Sequence, residues 1–347
     1  MPNTEQPLSV SIVLVCHDDG KWLARCLESI RAQTYFDRLE VILADNLSSD
    51  GTDAVARGLI QGWSNALWFS TGGDNGFGVA CNRAAEKARG KYLYLINPDT
   101  WLEPDCIEQL YLAAERDQAG VASGPVLDYD SSAVQTAGGM GFDFCGDGLC
   151  AKQHQEPARL LCPASFFFVR RDVFERVGMM DRRFFLYGEE MDLSWRVWIS
   201  GSAVVPAPKA RIHHRGAAGV NPGGGTQIVE NRTSTQKRHL ANRNRLVCMM
   251  KNYHHLLLLL MLPCLALILG EGLMTLAATR RWSLARACSL DAIAGAWGLR
   301  GHILEERRRI AGFRRRGDLW MLRFFRFGFA RWGEIARAIK QGFPKFG

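Results

Sequence analysis

At 347 residues, 47% of them hydrophobic and 22% charged, the chain can bury one large core or two modest ones, which argues against disorder or a fibrous repeat. Its net charge of +8 is uneven: from Arg280 onward 16 Lys and Arg stand against 5 Asp and Glu, a local +11, whereas the preceding 279 residues carry −3. A near-neutral body with a basic tail assigns any anionic partner to the tail alone.

The opening MPNTEQPLSV lacks the basic-then-apolar pattern of a secretory signal. Apolar runs at 10–16, 41–44, 66–70 and 92–96 are bounded by Gly, Asn, Asp or Ser and predict strands. Between them 21–31, 52–58 and 79–89 predict helices, and a further helix starts near Pro104. This alternation predicts a parallel sheet with right-handed crossovers and a ligand site outside the carboxyl ends of its strands. Those ends carry His17-Asp18-Asp19, the run from Asp45-Asn46 to Thr52, the Gly-rich run from Gly72 to Gly78, and Asn97-Pro98-Asp99.

Residues 128–157 are rich in Gly and Asp and read as long loops or an insertion facing an acceptor. Regular structure resumes at 162–169. Glu189, Glu190 and Asp192 then open a helix containing Trp195, Arg196 and Trp198, and a short strand at 210–214 ends on His213 and His214. Asn221-Pro222-Gly223-Gly224-Gly225 reads as a mobile loop or hinge, and with 128–157 it is a candidate lid. Ten cysteines without a CxxC pair suit a reducing compartment, and Cys145, Cys150 and Cys162 read as ordinary thiols.

Residues 256–278 carry a single charge, Glu271, and at about 1.5 Å per residue could cross a bilayer as a helix. One crossing would put the +11 tail opposite the body, against the positive-inside rule, so a shallow or re-entrant segment is expected. The tail mixes Arg323-Phe324-Phe325-Arg326-Phe327 with Trp320 and Trp332, as interfacial anchors do. No nucleic-acid module accompanies it, so nucleic acid is not expected as a partner.

Asp99 can hold a divalent metal against a diphosphate or simply cap its turn. The acids at 189–192 can supply a general base, or favour the helix dipole and pair at i,i+4 with Arg196. No Walker A, GxGxxG or GxSxG motif occurs, which weakens NTPase, dinucleotide and nucleophilic-triad readings.

Taken in order, SIVLVCHDD, ADNLSSDGT, DNGFGVACN, YLINPDT, FFFVRRDVFERVGMMDRRFFLYGEEMDLSWRVWISG, PKARIHH and NRNRLVCMMKNY resemble the family 2 glycosyltransferases of the GT-A fold. The likeness is to their bacterial rhamnosyltransferase-like branch and runs from about residue 8 to 251. It implies an α/β fold with a Rossmann-like, mostly parallel sheet flanked by helices, over residues 1–225. Within this, about 8–127 would form the nucleotide-sugar half and about 128–225 the acceptor half. Residues 226–347 would form a helical, basic, membrane-associating region.

By resemblance, Asp45 binds the pyrimidine base near His17, and Asn75, Phe77 and Asn82 line the donor pocket. Asn97 and Asp99 stand where many relatives have Asp-x-Asp, leaving Asp99 as the principal ligand for Mg²⁺ or Mn²⁺, with His214, rather than His213, beside it. Glu190 stands in place of the usual aspartate base, and Asp192 is the second candidate, with a role in positioning the acceptor or the base. The implied reaction is inverting transfer of a sugar, L-rhamnose from dTDP-L-rhamnose first, to a glycan or polyprenyl-diphosphate-linked saccharide of cell-wall or lipopolysaccharide biosynthesis. The expected location is an anionic membrane surface at the cytoplasmic face. Alternatives are a UDP-hexose or UDP-N-acetylhexosamine donor, or a non-catalytic glycan-binding relative.

Overall fold

The computed structural model describes residues 9–150, 163, 166–216 and 232–346. Expected strands appear as β1 (Val10–Cys16), β2 (Leu39–Asp45), β3 (Ala66–Ser70) and β4 (Tyr92–Ile96). Between them run α1 (Gly20–Arg31), α2 (Thr52–Leu59) and α3 (Phe77–Ala85). Then follow β5 (Thr100–Leu102), α4 (Cys106–Arg116), β6 (Val121–Ser123), β7 (Val126–Asp128), β8 (Val134–Thr136), β9 (Met140–Phe142) and β10 (Gly148–Cys150). After these come β11 (Phe167–Arg170), α5 (Arg171–Arg176), α6 (Glu189–Ile199), β12 (Val204–Pro206) and β13 (Ile212–His214).

The main sheet has seven strands in the order β12-β6-β11-β4-β1-β2-β3, parallel except for β11, which runs against both neighbours. Every residue of β1 and β2 is buried, as strands covered on both faces must be. Side chains alternate between two cores. Ile12, Leu14, Val41 and Leu43 meet α1 and α4, whereas Val13, Val15, Ile42 and Ala44 meet the side of α3 and α6.

A second sheet, β5-β13-β7-β8, stands at the carboxyl end of the first. Its antiparallel register sets His214 opposite Thr100, the neighbour of Asp99. The 128–157 stretch is not wholly irregular: its described part carries two short pairings, β7 with β8 and β9 with β10. Residues 151–157, Cys162 and the hinge at 221–225 lie outside the described residues.

Beyond β14 (Arg232–Thr233) the chain is mostly helical: α7 (Thr235–Asn252), α8 (Met261–Thr279), α9 (Trp282–Cys288), α10 (Leu290–Gly298), α11 (Arg300–Phe313), α12 (Asp318–Met321) and α13 (Trp332–Gln341), then β15 (Lys345–Phe346). This region does not pack as a separate body. Leu246, Cys264, Ile310 and Phe324 join one buried cluster with Val13, Phe142 and Trp195. Trp198 of α6 packs on Phe324 and Trp320, and Trp195 on Tyr253.

The basic tail is correspondingly less available than its sequence suggests. Arg307 donates to the carbonyls of Met250 and Tyr253, Arg309 to Val177, Arg314 to Asn252, and Arg316 to Gly201 and Ser202. These carbonyls lie at the C-terminal ends of α5, α6 and α7, where unpaired C=O groups and the helix dipole both favour a cation. Phe324 is fully buried rather than an interfacial anchor, while Phe327 and Trp332 stay exposed.

At the seam Lys251, fully buried, bridges Asp181 and Asp192, and Asp192 also takes two bonds from Arg196. Removing one partner of a buried ion set leaves charge uncompensated. Lys251→Met is therefore expected to cost about 3–5 kcal/mol in urea denaturation, with sheet and helices of the wild type unfolding in one transition. Two resolved transitions would contradict a shared core.

Candidate active site

The ends of β1, β2 and β3 are tied by short polar side chains. Asp18 accepts from the backbone N–H of Ser49 at 2.6 Å and of Asp50 at 3.3 Å, closing β1 onto the β2 loop. His17 contacts the Asn46 carbonyl through Nδ1 at 2.8 Å, a bond that raises its pKa. Asn46 donates to Asp74 and accepts from Thr71 and from the Asn75 backbone, so it organises the Gly-rich loop. Asp45 is buried, and its Oδ1 has no hydrogen-bond partner among the described residues. Such an acceptor is costly unless something donates to it, and a pyrimidine N3–H has the required chemistry.

Other expected donor-pocket residues divide. Asn75 sits in the loop, its amide donating to Gly73 O at 2.7 Å. Phe77 begins α3 and its backbone N–H bonds Phe185 O. Asn82 is committed elsewhere. Its Nδ2 donates to Met180 O and its Oδ1 accepts from Met180 N, stapling α3 to the chain ahead of α6. With both polar atoms engaged and the side chain 3% exposed, it is placed to hold the pocket wall rather than to touch a donor.

Asp99 and His214 come together across the two sheets, with Oδ2 and Nε2 3.5 Å apart and both side chains mostly buried. Burial lowers the His214 pKa, against the pull of Asp99, which favours the neutral imidazole a metal requires. Burial and the charge of Asp99 push nearby Asp19 up to about 6, against the His17 amide it accepts. No set of three His, Cys, Asp or Glu side chains able to hold a metal occurs among the described residues. One carboxylate and one imidazole, with the remaining positions left to phosphate and water, fit Mg²⁺ or Mn²⁺ bound with a nucleotide. His213 faces away. It stacks on Trp101 at 3.6 Å and contacts the Asp128 carbonyl, a structural role. Asn97 lies just ahead, its carbonyl accepting from Thr100.

The acids of α6 are presented by an unusual turn. Phe185 and Tyr187 have φ of 65° and 71°, and Gly188 has 91°. Left-handed backbone at the two bulky residues costs on the order of 1–3 kcal/mol each and persists only where surroundings impose it. Asn244 of α7 imposes it. Its Nδ2 lies 3.0, 2.9 and 2.7 Å from the carbonyls of Phe184, Leu186 and Tyr187, and Arg243 fixes its Oδ1 while bonding the Arg183 and Phe184 carbonyls. From the other side the Gly-rich loop closes on the same turn. A Cβ on Gly76 would stand 2.3 Å from the Phe185 oxygen.

Within α6 the acids have three fates. Asp192 is fully buried among Arg196, Lys251 and Asn252. Burial alone would raise its pKa, but the two cations outweigh it and hold it low. A carboxylate so enclosed cannot reach an acceptor hydroxyl. It ties α6 to α7 through Lys251 and Asn252. Glu189 is 2% exposed, its Oε1 has no partner among the described residues, and burial beside Glu190 and Asp192 pushes it up to about 8. Glu190 is less covered, and burial raises its pKa too. A base must be reachable, and Glu190 is the least covered of the three.

Asn46, Asp74, Asn244 and Arg243 were not singled out as site residues by sequence. The NRNR run was visible, but nothing local says that its second Asn reaches across to another turn.

The Glycosyl transferase family 2 profile matches residues 11–178. The chain is 30% identical over 236 residues to the N-acetylglucosaminyl-diphospho-decaprenol L-rhamnosyltransferase of Mycobacterium tuberculosis, covering 59% of this chain and 75% of that protein. It is a family 2 glycosyltransferase. The O-antigen biosynthesis protein RfbC of Myxococcus xanthus is 29% identical over 60% of this chain and 17% of its own. Among solved structures, GalNAc-T7 with UDP, GalNAc and Mn²⁺ superposes with TM-score 0.65 at 16% identity, over 98% of this chain and 59% of that longer one. S. aureus TarS 1-349 with UDP-GlcNAc gives 0.55 at 13% identity, over 88% and 89%. These likenesses establish the GT-A fold.

Two outcomes follow for this transferase. Asn244→Ala should lower kcat by about 10²-fold, because freeing the turn shifts the start of α6 by roughly 1 Å, with a smaller loss of donor affinity by calorimetry through the donor loop that leans on the same turn. With Glu190 as the base, the pH profile of kcat/KM should fall as pH drops through a value above the ordinary glutamate range, since a base acts ionised and burial raises the Glu190 pKa. An acid limb at the ordinary glutamate value would contradict this.

Proposed function

We propose that this enzyme transfers L-rhamnose, with inversion, from dTDP-L-rhamnose to a hydroxyl of a polyprenyl-diphosphate-linked saccharide at the cytoplasmic face of a membrane. The observation that carries the reading is the 30% identity to the mycobacterial rhamnosyltransferase across three quarters of that protein, whose name specifies a decaprenol-linked substrate. The order of site residues along the strand ends supports it.

In this reading Asp45 Oδ1 accepts from the thymine N3–H while the Asn46-organised loop closes over the donor. Asp99 and His214 would hold a divalent cation, which when bound offsets the charge developing on the leaving diphosphate. Glu190 takes the proton from the acceptor hydroxyl as that oxygen attacks the anomeric carbon on the face opposite the diphosphate. Glu189, held protonated by burial, spares Glu190 a like charge at neutral pH.

The surface of α8 supports membrane attachment without a crossing. The segment Leu257–Thr279 is long and apolar enough to span, with mean hydropathy 2.3. One face of α8, through Cys264, Ile268, Gly272 and Thr275, is buried on the protein. Leu262, Leu269 and Leu273 stay exposed, followed by exposed Arg280, Arg281 and Trp282. An apolar helix face ending in cations and an indole suits the plane of an anionic membrane surface.

Binding of dTDP-rhamnose, UDP-glucose, UDP-N-acetylglucosamine and GDP-mannose, each with and without Mn²⁺, tests the donor. Metal-dependent binding of dTDP-rhamnose, lost in Asp99→Ala and kept in Glu190→Gln while transfer by the latter falls at least about 10²-fold, is expected. Preference for a UDP-sugar would overturn the donor, and transfer by Glu190→Gln at the wild-type rate would overturn the base.

A further inference from the structure

A cavity of about 580 Å³ lies between α8 and the C-terminal segment, outside the site described above. Its floor is α8, through Leu267, Met274 and Ala278, and its roof is Ile335 of α13 with Phe343 and Phe346. The roof is tied down by backbone pairing. Parallel strands β14 and β15 set Thr233, two residues ahead of α7, beside Phe346. The polar lining gathers at Glu271, which accepts from Arg238 at 2.9 Å and from Asn242 at 3.1 Å, with Arg331 at 3.8 Å. Asn242 precedes Asn244 by two residues on α7. The cavity's polar side therefore abuts the helix that clamps the catalytic turn, while its apolar remainder continues the exposed hydrocarbon of α8.

We propose that this cavity takes the first isoprene units of the polyprenyl tail of the acceptor. The inference rests on the lipid-linked acceptor proposed above and adds the place where the lipid sits. The volume is that of a ligand site rather than a packing flaw, and the exposed Met274 and Ile339 of its lining leave the mostly apolar space open to hydrocarbon from outside. Of the lipids within reach of α8, the acceptor alone must present its polar end to Glu190. A tail held there would raise the local concentration of an otherwise dilute substrate.

The test uses the full chain in nanodiscs of phosphatidylethanolamine and phosphatidylglycerol, with a diazirine-bearing geranylgeranyl phosphate as probe and mass spectrometry to locate labelling. Labelling of Met274, Ala278 and Ile335 is expected. Undecaprenyl phosphate should compete with it, and dioleoyl phosphatidic acid, with the same headgroup charge on unbranched chains, should not. Ala278→Trp, which fills the floor, and Ala338→Phe, which fills the roof, should each reduce labelling at least about tenfold. Leu273→Trp, on the outer face, should leave it intact.

Labelling confined to the outer face of α8, or equal competition by phosphatidic acid, would overturn the proposal. Donor binding measured on the same samples keeps the two readings apart. Cavity labelling absent with donor binding present overturns the lipid site alone, whereas labelling present without binding of any nucleotide-sugar leaves a polyprenyl site but overturns its assignment to an acceptor, together with the donor reading above.

Discussion

The turn from Phe184 to Gly188 is held in a conformation its own side chains disfavour, and the candidate active site depends on what holds it. One amide, Asn244, binds three carbonyls of the turn, and its orientation is set by the neighbouring Arg243. The strain is local, while its compensation comes from a helix some 60 residues later. The Gly-rich donor loop leans on the same turn through Gly76 and Phe77. Donor loop and base-bearing helix are thus two sides of a single contact, which suits a reaction that must align two substrates.

This explains why the helical region packs as it does. Asn244, Lys251 and Asn252 of α7 all act on α6 or on the turn before it, and α11 and its sequel close the C-terminal ends of α5, α6 and α7 with arginines. The +11 of the tail is therefore only partly a surface charge. Four arginines neutralise helix ends, and Arg280 and Arg281 stay exposed where α8 ends. The exposed apolar face of α8 and the scaffold of the candidate site belong to the same helical region.

Much of the catalytic half was legible. Strands β1, β2 and β4 are largely apolar runs because both faces are buried, β3 is a more exposed strand at the sheet edge, and the ends of all four are marked by turn-forming residues, so the location of the site follows from local pattern. Asp99 with His214 was expected from resemblance, and the register of β5 with β13 gives the physical reason. Other features required tertiary structure. Asn82 reads as a pocket residue in a motif, yet its amide pairs with Met180, a partner 98 residues away. Asp192 looks like its neighbours Glu189 and Glu190 until the cations from α7 and its own helix enclose it. Phe324 and Trp320 have the composition of membrane anchors and instead pack on Trp198. In each case the sequence gives the residue type, and the deciding contact comes from an element distant along the chain.

The most direct test of the clamp is amide hydrogen exchange. In wild type, Leu186 N–H, bonded to Phe184 O, and Phe77 N–H, bonded to Phe185 O, should be protected together with the start of α6. In Asn244→Ala these amides should exchange much faster while those of β1 and β2 keep their protection. Unchanged exchange across residues 184–192 would show that the turn holds its shape without α7, and would contradict the account.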